Sequence, residues 1–203
     1  MPLAQVDKNI KEKMLFIKKF VTEPRTIGSI APSSPQLVSS MLNNVDWTRT
    51  RTIAEFGAGT GAMTRAIIRR KSAESRLFVF EIEEDLRRML SCETGLDIYD
   101  DARFLPGVLD NNGLCSVDLI VSSLPYAVMP HEVTESVLRG VARSLAPDGS
   151  FVAFQYSLHM KGAFERIFQE VKIRFVMMNL PPAFVYECRG LKSAVPPFDK
   201  GRQ

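Results

Sequence analysis

The sequence predicts an α/β fold: an open, doubly wound, mostly parallel seven-stranded sheet, closed by an antiparallel C-terminal hairpin strand and preceded by an N-terminal amphipathic helix. Three observations carry this expectation. From residue 51 onward, short apolar runs rich in β-branched and aromatic residues alternate with helical patterns. The first run turns through three glycines into a helix. Acidic residues then recur just beyond successive runs, at the carboxyl ends of strands, where ligands on such sheets bind.

In chain order, residues 6–21 read as an amphipathic helix. Val6, Ile10, Met14, Ile17 and Val21 recur at helical spacing, with Lys8, Lys11, Lys18 and Lys19 mostly opposite. A turn-rich linker spans 26–35, where Ser33 or Ser34 can cap a helix over 35–42 that carries Pro35 in its first turn. Strands are expected at 51–56, 76–82, 96–99, 117–122 and 150–156. Helices are expected at 62–71, 83–91, 131–145 and 161–170, with Pro147-Asp148-Gly149 stopping the third. Pro106-Gly107 and Asn111-Asn112-Gly113 mark an irregular stretch before the fourth strand. Apolar runs at 171–178 and 183–188, joined by Asn179-Leu180-Pro181-Pro182, read as a hairpin. The organisation is therefore a helical segment over 1–25, one α/β domain over 26–189, and a disordered tail over 190–203. Alternating strands and helices make the sheet parallel with helices on both faces.

At 203 residues, 45% hydrophobic and 24% charged, the chain has the composition of a globular protein with a real core. A net charge of +3 is too small to indicate a nucleic-acid partner, and none is expected. Cys92, Cys115 and Cys188 are odd in number and lack metal-ligand spacing, so they read as reduced core fillers of a cytoplasmic protein. No apolar run is long enough to span a membrane, and the N-terminus has no secretory h-region.

The stretch Glu55-Phe56-Gly57-Ala58-Gly59-Thr60-Gly61 carries the ligand chemistry. A strand turning through glycines into a helix brings bare backbone N–H groups up to a ligand. Taken alone, the loop also fits the dinucleotide pattern, with Glu81 about 20 residues on to hold a ribose. Three features favour S-adenosylmethionine instead. Glu55 suits a ligand with a cationic end and suits a pyrophosphate badly. The chain leaves no room for a dehydrogenase substrate domain. The later acids recur where a methyl donor needs them. Glu81, with Ile82 beside it, follows the second strand and can accept from both ribose hydroxyls, or simply start a helix. Asp101, before Ala102, can accept from an adenine amino group, or be a turn residue. The fourth strand ends in Ser122-Ser123-Leu124-Pro125-Tyr126, where a methyl acceptor meets the donor. Tyr126 there offers a π face to a sulfonium or ammonium, or is a packed loop aromatic.

On Glu55–Gly61, Glu81, Asp101-Ala102 and the strand-four loop, the chain resembles the Rossmann-like class I S-adenosylmethionine-dependent methyltransferases over residues 26–189. It is similar to the bacterial phospholipid N-methyltransferases in Pro24 through Ile30-Ala31-Pro32-Ser33-Ser34, in Ser122-Ser123-Leu124-Pro125 and in Asn179-Leu180-Pro181-Pro182-Ala183. It is also similar to the ribosomal RNA adenine dimethyltransferases, but Ser123 stands where their motif has an asparagine, and their C-terminal helical domain has no counterpart.

The resemblance implies that Gly28, Ser29 and Ile30 cover the donor. Glu55, Gly57, Ala58, Gly59, Gly61, Glu81, Ile82, Asp101, Ala102, Ser122 and Ser123 then hold it, while Tyr126 and Ser123 serve catalysis. It implies a phospholipid substrate, the amine of phosphatidylethanolamine, and docking on the anionic inner membrane face through residues 6–21. An RNA adenine methylase, a soluble small-molecule methyltransferase and a donor-binding module without chemistry stay open beside it. His131 and His159 are the only histidines, and neither is marked as a general base by its surroundings in sequence.

Overall fold

The computed structural model of the protein describes residues 34–193. The helix expected over 6–21, the covering residues Gly28, Ser29 and Ile30, and the tail beyond residue 193 lie outside the described residues.

The helix α1 (Pro35–Leu42) opens the described chain, capped by Ser34, whose Oγ accepts from Leu37 N–H at 3.1 Å. The strand β1 (Thr52–Phe56) leads through the glycine loop into α2 (Ala62–Ile68). Then come β2 (Arg76–Phe80), α3 (Glu84–Thr94) and β3 (Ile98–Tyr99). A 3-10 turn (Ala102–Phe104) and α4 (Leu105–Asn111) precede β4 (Val117–Ser122). The remainder is α5 (His131–Ser144), β5 (Leu145–Gln155), α6 (Lys161–Ile167), β6 (Phe168–Val176) and β7 (Ala183–Leu191).

The seven strands form one sheet in the order β3-β2-β1-β4-β5-β7-β6. The first five run parallel, while β7 pairs antiparallel with both β5 and β6. The hairpin thus contributes both of its strands, with the later one inserted beside β5.

Alternation along the strands builds two cores. Ala54, Phe56, Phe80, Ile120 and Phe151 face α4, α5 and α6, where Phe164 and Leu138 are buried. Ile53, Leu119, Val121, Val152 and Val185 face the other way, onto Leu37, Met41, Met63 and Ile67 of α1 and α2. Side chains at i and i+2 share a face of a strand, so a strand that is apolar throughout must be covered on both sides.

Four expectations are corrected. The stretch 102–111 is helical, because Pro106 falls in the first turn of α4, where a missing N–H costs nothing. The helix α5 ends at Ser144, before Pro147, and β5 starts at once with a register shift against β4. Gly190 and Leu191 belong to β7 and not to a tail. Cys92 and Cys115 are exposed, and Cys188 alone of the three is a core filler.

Candidate functional site

The four adjacent strand ends of β3, β2, β1 and β4 are laced together by backbone hydrogen bonds. Glu81 N–H donates to Tyr99 O at 2.8 Å, Gly57 N–H to Phe80 O at 2.8 Å, and Ser123 N–H to Phe56 O at 2.8 Å. Gly57, Gly59 and Gly61 all have positive φ, at 75°, 54° and 85°, so the chain can double back between β1 and α2. A Cβ on Gly61 would lie 2.5 Å from Leu90 Cδ1, whereas one on Gly59 would meet nothing within 4 Å. Gly61 is therefore small for packing. Gly59 stands at an open position on the rim.

The expectation of bare N–H groups in this loop is corrected. Gly57 and Ala58 donate to Phe80 O, Gly61 donates to Ala58 O, and Gly59 donates to Glu81 Oε2 at 2.7 Å. The loop uses these donors to fix its own shape, and what it offers a ligand is a close, preformed floor.

Glu81 is buried and accepts at both oxygens, from Gly59 N–H and from Glu83 N–H at 2.9 Å. Each carboxylate oxygen has a second lone pair, so acceptor capacity for ribose hydroxyls remains. Beside it Ile82 is 44% exposed, a large apolar side chain at the rim. Arg87 Nη1 donates to the carbonyls of Glu81 and Ile82 at 2.9 and 2.7 Å and holds this corner still. Asp101 acts as the cap of the 3-10 turn. Its Oδ1 accepts from Arg103 N–H at 2.9 Å and its Oδ2 from Arg103 Nε at 2.8 Å, and Ala102 behind it is buried. The turn role of Asp101 is thus observed.

Glu55 lies fully buried in β1, and neither carboxylate oxygen has a hydrogen-bond partner among the described residues. Burial pushes its pKa up to about 8. The neighbouring Thr64 pulls it down, and the Glu81 carboxylate pushes it further up. A buried anion without a donor is costly, so the carboxyl holds a proton instead. The Thr64 hydroxyl is itself buried without a partner in hydrogen-bonding geometry. Glu55 and Thr64 form an unsatisfied polar spot beneath the glycine loop.

In the strand-four loop, Ser122 is buried and its Oγ lies 2.8 Å from Tyr126 Oη, with Leu124 N–H donating to the same Oγ at 3.4 Å. Ser123 is half-buried. The open aromatic face expected of Tyr126 is corrected: the side chain is 2% exposed and packs edge-on against Phe164, with ring centroids 6.0 Å apart. Burial raises its phenol pKa well above the ordinary value. Tyr126 ties the loop to the core. His131 stands at the start of α5, 4.0 Å from Glu135, and His159 is exposed after β5.

The site also contains residues that motif reading missed. Gln155 ends β5 almost fully buried and donates from Nε2 to Leu124 O at 2.8 Å, fixing the strand-four loop. Its signal in the sequence is a polar residue closing the apolar run Phe151-Val152-Ala153-Phe154. A separate cavity of about 560 Å³ lies at the opposite rim, beside Asp46, Asp118 and Arg189. There Asp118 already accepts from Arg51 and Thr52 N–H at 2.7 and 2.8 Å, so this cavity is not the candidate site.

No protein-family model matches the chain. A curated relative, the ornithine lipid N-methyltransferase of Singulisphaera acidiphila, is 35% identical over 191 residues, spanning 91% of this chain and 100% of its own length. The chain belongs to this methyltransferase family. Solved structures show the same fold at low identity. One is the N-methyltransferase NodS from Bradyrhizobium japonicum in complex with S-adenosyl-L-homocysteine, with a TM-score of 0.61 at 15% identity, covering 77% of this chain and 85% of that one. Another is the precorrin-6y C5,15-methyltransferase from Geobacter metallireducens, with a TM-score of 0.60 at 14% identity, covering 80% and 92%. The protein is thus a methyltransferase with a Rossmann-like fold.

The residues at the methyltransferase rim are compatible with S-adenosylmethionine, the donor expected from the sequence. The unpartnered carboxyl of Glu55, the open position at Gly59 and the exposed side chain of Ile82 provide a buried polar group, a close backbone approach and an apolar wall.

Proposed function

We propose that this methyltransferase transfers a methyl group to the primary amine of a lipid headgroup at a membrane surface. The full-length similarity to the ornithine lipid N-methyltransferase carries this reading. Ornithine and phosphatidylethanolamine both present a primary amine, so the shared acceptor chemistry is an amine on a lipid. The donor supplies a methyl on a sulfonium centre, ready for in-line displacement.

In this reading Glu81 and Ile82 hold the nucleoside, joined by Asp101 and Ala102. Gly57, Ala58, Gly59 and Gly61 shape the floor beneath it, and Glu55 faces its cationic end. Ser122 and Ser123 line the meeting point with the acceptor, and Tyr126 and Gln155 position that loop through Ser122 and Leu124. Gly28, Ser29 and Ile30 would cover the donor, and residues 6–21 would lie on the anionic inner face of the membrane. An amine with a pKa of about 10.4 costs about 4 kcal/mol to deprotonate near neutral pH. Alignment of the reacting atoms can supply about 7–11 kcal/mol. Positioning and exclusion of water therefore contribute more here than strong base catalysis.

The test is incubation with methyl-labelled donor and, in separate arms, ornithine lipid, phosphatidylethanolamine, RNA transcripts and a small-metabolite fraction. Label in a lipid arm supports the reading and names the headgroup. Label in RNA or small metabolites with none in lipid overturns it.

A further inference from the structure

The turn between β6 and β7 inverts the usual make-up of a surface loop. Met177, Met178 and Leu180 are 75%, 71% and 73% exposed, while the polar residue between them, Asn179, is 6% exposed. Asn179 Nδ2 donates to Pro181 O at 2.7 Å, and its Oδ1 accepts from Ser34 N–H at 3.1 Å. The one side chain that water would solvate well is spent on holding the turn, and three large apolar side chains are held outward. Scattered apolar residues on a surface are ordinary, but a contiguous group of this kind marks a contact.

Register places this group. Val176 pairs with Ala183 at the end of the hairpin, and Gln155 pairs with Phe184, so the turn stands at the rim where β5 finishes. That is the rim that carries Glu81, the glycine loop and Ser123. Val128 after β4 and Leu158 after β5 are 40% and 48% exposed on the same rim, so apolar side chains follow the ends of β4 and β5 as well as crowning the β6–β7 turn.

The bond from Ser34 to Asn179 also fixes where the preceding segment joins the domain. Residues 1–33 hold six basic and three acidic residues, a surplus of three that equals the net charge of +3 of the whole chain. Residues 34–203 therefore sum to zero. The segment of sequence that carries the whole cationic surplus joins the domain at Ser34, beside this apolar turn. Apolar side chains that insert, next to lysines that stay in water, suit the interface of an anionic bilayer.

We propose that Met177, Met178 and Leu180 insert into the interface of an anionic lipid bilayer and set the donor-binding rim of the methyltransferase against the membrane. This rests on the lipid-substrate reading. The test reads vesicle binding without turnover, so the two can fail separately.

The experiment uses the full chain and vesicles of phosphatidylcholine with and without phosphatidylglycerol. Wild type should sediment with the anionic vesicles. The triple variant Met177→Ser, Met178→Ser, Leu180→Ser should lose at least about tenfold in partitioning, with donor affinity and melting temperature unchanged. In a Trp47→Phe background, the indole introduced by Met178→Trp should shift its emission to the blue on adding anionic vesicles and be quenched by brominated lipid. A triple variant that sediments like wild type overturns the proposal, as does an introduced indole that stays water-exposed on bound protein. A wild-type dimer in solution that the triple variant dissociates overturns it too, since a second copy then occupies the turn. An introduced indole already shielded without vesicles, and released by deletion of residues 1–33, also overturns it, because the chain's own segment then covers the turn. If vesicle binding holds and no lipid is methylated, the substrate reading falls and the docking surface stands.

Discussion

Glu55 shows how far a candidate site residue's chemistry departs from its residue type. Its place before the glycines is plain from sequence, but complete burial without a donor is not, because β1 becomes buried on both faces only once α1 and α2 pack over it. With a folded pKa of about 8 against an ordinary 4.5, its protonation contributes stability that is complete below pH 4.5 and lost as pH rises through about 8. Glu55→Gln should remove that slope and leave the donor-free protein more stable near pH 8 by on the order of 4 kcal/mol. Urea unfolding at about pH 5 and about pH 8 checks this, with wild type falling between the two and the variant flat. If Glu55 receives the cationic end of the donor, binding at neutral pH should release a proton, seen by calorimetry in buffers of different ionisation enthalpy, and the release should vanish in Glu55→Gln. For Glu81→Ala, donor affinity should fall by about 2–3 kcal/mol, measured by calorimetry. An unchanged dissociation constant would remove Glu81 from the donor site. The place of Tyr126 in the strand-four loop was legible. Its inward orientation was not, because Phe164, against which it packs, is distant in sequence.

Among the elements, those with a strong periodic signal were legible, and those decided by their junctions were not. Strands β1, β2, β4 and β5 stand within a few residues of expectation except at the start of β5. The helix α4 was hidden because Pro106, Gly107 and Gly113 look like breakers. Yet proline is tolerated in a first turn, and Gly113, at φ 68°, only ends the element. The junctions α5–β5 and α6–β6 have no loop at all between Ser144 and Leu145 or between Ile167 and Phe168, and local sequence does not announce such abrupt changes. The glycine loop belongs at this scale as well. Gly61→Ala puts a Cβ against Leu90 in a left-handed backbone at φ 85°, which should destabilise the protein by about 2 kcal/mol and lower its melting temperature. Gly59→Ala meets no neighbour, so its effect beyond the strain of φ 54° should appear as weaker donor binding. Thermal melts with and without donor separate the two.

For the molecule as a whole, the fold class was legible because each strand end has its own sequence mark and because β–α alternation leaves few topologies. That β7 stands before β6 in space was not, since either strand carries enough apolar residues to pair with β5. The described residues contain no helix long and apolar enough to cross a membrane.

The placement of β7 has a consequence for how this chain is made. While the ribosome has delivered residues only as far as Pro182, β6 has no neighbour to bond and the flank of β5 lies bare. The strand β7, made after both of its partners, is a keystone between two that came earlier, so the nascent protein passes through a sticky intermediate. A chain truncated after Pro182 should accumulate in the pellet on expression, while the full chain stays in the supernatant.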